Sequence, residues 1–205
     1  MGYESYDAGA DQGASSATAD AAFGSYDDGT AQVCVDDGTQ GGATSTSTAS
    51  GGRSVDVRYN VPGMSQPTPT SCWATAFAML INYVQGTQIT PYDVGDTIGH
   101  PLSSGDNNTD DARIARAYGL TADGCTCMNI DGWAQMLQNH GPLYIGIRGN
   151  THAVLVTGMT SDGTPEGTTF YINDPWDGAV SKSYNQLTQV YEDIDNETEF
   201  YVVHG

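Results

Sequence analysis

The chain predicts an α+β fold, with helices in its first half and antiparallel strands in its second. Two observations carry this prediction. From Cys72 to about residue 140 the apolar residues recur mainly at spacings of three and four, which places them on one buried face of each helix. Beyond Gly141-Pro142 they form short runs rich in Val, Ile, Thr and Tyr, separated by turn residues. Helices first and hairpin-linked strands second segregate into layers, with the helices packed on or beside one sheet.

The folded part is expected to span 53–205. Val55-Asp-Val-Arg-Tyr-Asn-Val61 alternates as a short strand. The long helix opens at Cys72, because Trp73, Ala76, Phe77, Leu80, Ile81 and Val84 make one apolar stripe. Pro67 and Pro69 hold the preceding chain extended. Thr70 and Ser71 are both suitable N-caps. Thr90-Pro91-Tyr92-Asp93 begins a second helix, with threonine as cap and proline in the first position, ending near Gly99.

After a polar loop from Ser103 to Asn108, a third helix runs from Thr109 to Gly119, acids in its first turn and glycine after its last. A fourth spans about 131–140, with Trp133, Met136 and Leu137 inward. Strands follow over 142–148, 151–157, 168–173, 179–182 and 198–203. Gly149-Asn150 and Ser161 to Gly167 read as the hairpin turns between them. Ser183 to Val190 reads as a turn or two of helix.

Residues 1–52 are Ala, Gly, Ser, Thr and Asp with few apolar side chains, so the segment is expected to be disordered, with Gly41-Gly42 and Gly51-Gly52 as linker. It is compatible with a secretion or targeting segment, a propeptide or a solvated linker. The whole chain carries 25 acids against 6 Lys and Arg, a formal charge of -19. Eight of those acids and none of the bases lie in 1–52, leaving 17 acids against 6 bases and a charge of -11 in the rest. Neither part has a basic patch, which argues against nucleic acid or anionic lipid as a partner. A cationic substrate would be attracted.

Met1-Gly2 is followed by no basic region and no apolar stretch, so no cleaved secretory leader is expected. No apolar run approaches the roughly 20 residues that span a bilayer. The expectation is a soluble protein, monomeric by default, cytoplasmic or exported by a leaderless route.

Cys72 falls in the first turn of its helix, where unpaired N–H groups and the helix dipole favour an anion. A thiolate is the nucleophilic form of cysteine. His152 opens a strand just after a turn, so its ring can face a cleft. Asp174 ends the next strand before Pro175 stops the ladder. Adjacent antiparallel strands bring such residues together, and a base needs an orienting partner on its second nitrogen. Asn173 is the alternative orienting residue, since strand alternation turns one of the two away.

These features together resemble papain-like cysteine peptidases over roughly residues 60–203. Gln66 precedes Cys72 by six residues, as the family's oxyanion-hole glutamine does. Cys72-Trp73 opens the long central helix, His152 begins a strand in the second half, and Asp174-Pro175-Trp176 stands where the third member is found. His152-Ala-Val-Leu-Val-Thr-Gly158 and Asn173-Asp-Pro-Trp176 look like the branches with aspartate as third member. Those are the C39-like peptidase domains of double-glycine bacteriocin exporters and the effector proteases of plant-pathogenic bacteria.

The resemblance implies a helical half whose central helix carries the nucleophile, packed on a C-terminal antiparallel sheet. It implies a Cys72–His152–Asp174 triad cleaving a protein or peptide through a thioacyl enzyme, with Gln66 in the oxyanion hole and Trp176 shielding the imidazole's hydrogen bond. Pro69-Thr70-Ser71 departs from the glycine many relatives carry before the nucleophile. An acyltransferase or transglutaminase-like enzyme on the same triad, or a non-catalytic module of the same fold, are the other functions compatible with these residues.

No cofactor or metal is implied. Cys125-Thr-Cys127 lacks zinc-finger spacing and a second pair, and Asp193-Ile-Asp-Asn-Glu197 lacks the glycine a calcium loop needs. Together with Cys34 these cysteines are expected to be reduced thiols. His140, at a helix end, is expected to be structural, and His100 and His204 carry no signal.

Overall fold

A computed structural model of the chain describes residues 54–126, 128–147, 152–192 and 200–205. The expectations for the 1–52 tail, Cys34, Cys127, the Gly149-Asn150 turn and the Asp193–Glu197 stretch therefore fall outside the described residues.

β1 (Val55–Arg58) is followed by an irregular segment that leads into α1 (Cys72–Gln85). The periodicity predicts a single buried stripe on α1, yet all ten residues from Cys72 to Ile81 are buried. Ala74, Thr75 and Ala78 are small enough for neighbouring elements to close over the faces that the stripe leaves open. An apolar helix covered on every side is a central helix, not a surface one. The stripe also overreaches at its far end, where Val84 is exposed. Gly86 stops α1 in the left-handed conformation, at φ 65°.

α2 (Pro91–Ile98) begins with the predicted cap: the Thr90 side chain accepts from the Asp93 N–H, and Asp93 accepts in return from the Thr90 N–H. α3 (Asn108–Tyr118) is capped by Asn107, whose side chain accepts from the N–H groups of Thr109 and Asp110. β2 (Thr121–Thr126), α4 (Ile130–His140), β3 (Leu143–Ile147), β4 (Ala153–Ser161), β5 (Thr169–Asp174), β6 (Gly178–Ser183), α5 (Tyr184–Glu192) and β7 (Phe200–His204) complete the order. β2 was not expected. Its sequence has no alternation, and what makes it a strand is antiparallel pairing along β7. Strand formation here comes from a tertiary neighbour and not from local preference.

The strands form one antiparallel sheet in the order β2-β7-β3-β4-β5-β6, with β1 also pairing on β4. β4 is long enough to serve two partners along one edge: Ala153–Val156 face β3, and Gly158–Ser161 face β1. Gly158 permits the second pairing, because a Cβ there would lie 2.2 Å from the Val57 carbonyl oxygen. Pairing to β1 fixes where the irregular segment behind it starts, and that segment runs to the site.

Both sheet faces are covered. Tyr144, Ala153, Leu155, Tyr201 and Val203 pack with the α1 core, which α2 and α3 extend. Leu143, Ile145, Val154, Val156, Ile172 and Val202 pack with Trp133 and Leu137 of α4 and Leu187 of α5. The helices therefore sit on both faces, which explains why β4 is buried along nearly its whole length.

The α1 face also buries acids. Asp111, read from sequence as a helix-dipole complement, is 3 % exposed and accepts a 2.8 Å hydrogen bond from the hydroxyl of Tyr144, itself stacked on Phe77 at 4.0 Å. Burial, followed by the charge of Asp106, holds the Asp111 carboxyl well above the usual range; burial raises Asp106 as well. The two hydrogen-bond each other, so the pair keeps one proton. A carboxyl with a raised folded value contributes stability that is full below 3.8 and lost as the pH rises from there through the folded value. Asp111→Asn is therefore expected to raise the melting temperature at pH 7 and not at pH 4. About 2–4 °C per kcal/mol is the scale at this chain length. A melting temperature unchanged or lowered at pH 7 would refute the shared proton.

Candidate active site

Four places in the fold meet: the start of α1, the irregular segment before it, the residue preceding β4, and the end of β5. Pro67 and Pro69 keep the segment extended, and Thr68 and Thr70 both donate from their hydroxyls to the Leu102 carbonyl. Ser71 is at the N-cap position but does not cap; its hydroxyl turns back to the backbone of Thr68, accepting from N–H and donating to C=O at 3.0 Å. The predicted cap is thus spent on bracing the segment, and α1 opens directly on Cys72. Trp73, fully buried, donates its indole N–H to Ser104 and meets the ring of His100 edge-on at 5.4 Å. His100, unremarked in the sequence, clips this loop by contacts with Gly105 and Asp110.

Cys72, His152 and Asp174, separated by 80 and 22 residues, come together. His152 Nε2 lies 3.0 and 2.9 Å from the two carboxylate oxygens of Asp174, and the ring also hydrogen-bonds the side chain of Cys72. Burial opposes the imidazolium, but the hydrogen bonds to Asp174 and Cys72 and the charges of both outweigh it, raising His152 from 6.5 to about 9. Burial acts on Asp174 in the opposite direction. The bond from His152, the Trp176 N–H at 2.8 Å and the Asp177 N–H at 3.3 Å nevertheless bring it below its ordinary value.

Gln66 lies on the same segment, its backbone N–H donating to the Pro175 carbonyl at 3.0 Å and its side-chain amide donating to the Thr68 carbonyl at 2.8 Å. Its Oε1 is buried without a hydrogen-bond partner. An amide NH₂ has two donor hydrogens, so one remains available beyond the bond to Thr68.

Asn173 does not face His152. It is 8 % exposed and donates to the Val61 carbonyl at 2.9 Å, so of the two candidates it is Asp174 whose side chain meets the His152 ring. The Trp176 indole, expected to shield the imidazole's hydrogen bond, is 64 % exposed. Its backbone N–H, in the turn between β5 and β6, donates to Asp174.

His204 pairs with Asp123 at 3.1 Å, and the ring of His140 lies against it at 3.9 Å. His204 thus has a partner the sequence did not reveal.

Residues 53–192 match the family described as papain-like cysteine protease AvrRpt2. The chain belongs to that family. It is a papain-like cysteine protease by this membership, and its fold is similar to that of a solved structure. That structure is a double glycine motif protease from an AMS/PCAT transporter in complex with the leader peptide. It shares 22 % identity and a TM-score of 0.51, over 74 % of this chain and 99 % of the other. At that identity the likeness shows the fold alone. No curated protein matches the chain. No helix among the described residues is long and apolar enough to cross a membrane.

Proposed function

We propose that this papain-like protease hydrolyses peptide bonds with Cys72 as nucleophile, His152 as acid and base, and Asp174 as the orienting carboxylate. The observation that supports this best is His152, hydrogen-bonded to Asp174 through Nε2 and to the side chain of Cys72. With a value of about 9 the ring is cationic at neutral pH, a partner for a thiolate.

The sulfur attacks the scissile carbonyl carbon, and the C=O π electrons move onto oxygen. The Gln66 amide and the Cys72 backbone N–H are the donors we assign to that oxyanion, one such donor being worth about 3 kcal/mol. As the C–N bond breaks, His152 gives its proton to the departing amine, leaving a thioester. The neutral ring then takes a proton from water. The hydroxide adds to the thioester, and the carboxylic product leaves as the thiolate and imidazolium re-form. Asp174 holds the ring so that the nitrogen facing Cys72 does this work.

The substrate we assign is a peptide or protein, and the chain's charge of -19 favours a cationic one. We further propose an effector or peptide-processing role in which the enzyme trims its own N-terminal segment between residues 41 and 64.

A peptide library incubated with the purified protein and read by mass tests the activity. Cleavage by the wild type, absent in Cys72→Ala, is expected; equal product from both would refute it. A labelled amine in the same reaction separates hydrolysis from acyl transfer, since label incorporated without net cleavage would assign a transferase. The intact mass of the same preparations tests the trimming: the wild type is expected shorter than Cys72→Ala, and equal full-length masses would dispose of it.

A further inference from the structure

We infer that Asn173 is a positioning residue for the oxyanion site, holding in place the segment that delivers Gln66. The inference rests on the proposed role of Gln66.

Between β1 and α1 the chain has neither helix nor strand. Its course is therefore set by where its backbone groups find partners. The Tyr59 N–H donates to the Thr157 carbonyl at 2.8 Å, fixing the exit from β1. The Val61 carbonyl accepts from Asn173 Nδ2 at 2.9 Å, and the Gln66 N–H donates to the Pro175 carbonyl at 3.0 Å. These last two bonds bracket Pro62-Gly63-Met64-Ser65, a stretch in which proline lacks a donor and glycine adds backbone freedom. Loss of the Asn173 bond would leave the Val61 carbonyl, at a residue 8 % exposed, to find another partner.

Three consecutive residues thus serve both halves of the site. Strand alternation sends the Asn173 and Asp174 side chains to opposite sides. Asn173 reaches Val61, Asp174 reaches His152, and the Pro175 carbonyl receives Gln66. The distance between the oxyanion donor and the base is then set by one strand end. A donor displaced by about 1 Å can cost about 100-fold in rate.

The test is a double-mutant cycle on peptide cleavage. Asn173→Leu, close in size and without the donor, is expected to lower kcat about 10- to 100-fold with KM within about 3-fold. In a Gln66→Ala background the same substitution is expected to lower kcat by less than about 3-fold, because the donor it positions is gone. The alkaline limb of the pH profile, which reports His152, should not move. An equal loss in both backgrounds, or a shifted alkaline limb, overturns the inference while leaving the role of Gln66 standing. If Gln66→Ala alone leaves kcat unchanged, Gln66 is not an oxyanion donor and both fall. Should Asn173→Leu fail to fold by near-UV circular dichroism, Asn173→Ser carries the same expectations and the same two refuting outcomes.

Discussion

Cys72→Ala is expected to lower kcat/KM for peptide cleavage by about 10⁴-fold or more, with the protein still folded. The substitution removes one sulfur atom from a residue 4 % exposed at the edge of the α1 core. A deletion of that size costs on the order of 1 kcal/mol, too little to unfold a domain with this much buried around α1. Lost activity would thus report chemistry and not collapse. His152→Ala is expected to lose a similar factor, and the double variant no more than either alone, because nucleophile and base act as one unit. Iodoacetamide offers an independent readout. At neutral pH the wild-type Cys72 should alkylate faster than Cys34, and the advantage should vanish in His152→Ala. Equal rates at Cys72 and Cys34 in the wild type would mean that the sulfur is not an activated nucleophile.

How far the sequence alone leads depends on which length scale holds the information. The helices were readable because their starts and stops are written locally: Thr90 with Asp93 at the start of α2, and Gly99 and Gly119 behind α2 and α3. The meeting of His152 with Asp174 was readable for a related reason. β4 and β5 are neighbours through a short turn, so their facing ends are close in any antiparallel hairpin.

What stayed hidden depends on distant partners. β2 exists only by virtue of β7, which lies some eighty residues on. Ser71 looks like a cap in isolation, but the extended Pro-Thr-Pro segment brings the Thr68 backbone within reach of its hydroxyl. Asp111 carries the pattern of a solvent-facing first-turn acid and is buried instead, because Tyr144 and Asp106 converge on it from another strand and another loop. Alternation indicated that Asn173 and Asp174 point opposite ways but not which way either points. That was decided by Val61, 112 residues upstream of Asn173.

Asp174→Asn is expected to lower kcat/KM at pH 8 by about 10³- to 10⁴-fold, and its effect should depend on pH in a stated direction. The carboxylate is one of the groups that hold His152 at about 9 against the pull of burial. With an amide in its place only the Cys72 hydrogen bond and charge remain to oppose burial, and the imidazolium loses its proton at a lower pH than in the wild type. The alkaline limb of the wild-type profile is expected near 9, and in the variant it should move to lower pH. Activity lost at pH 8 should be partly recovered near pH 6.

Stability has its own window. A raised histidine contributes stability that is full below 6.5 and lost as the pH rises to about 9. A lowered aspartate contributes above 3.8 and loses that contribution as the pH falls through its folded value. The melting-temperature difference between wild type and Asp174→Asn should therefore be greatest between about pH 4 and 6.5, and shrink toward pH 9. An alkaline limb that stays near 9 in the variant would show that the carboxylate does not set the charge of His152, and the orienting role assigned to Asp174 would fail with it.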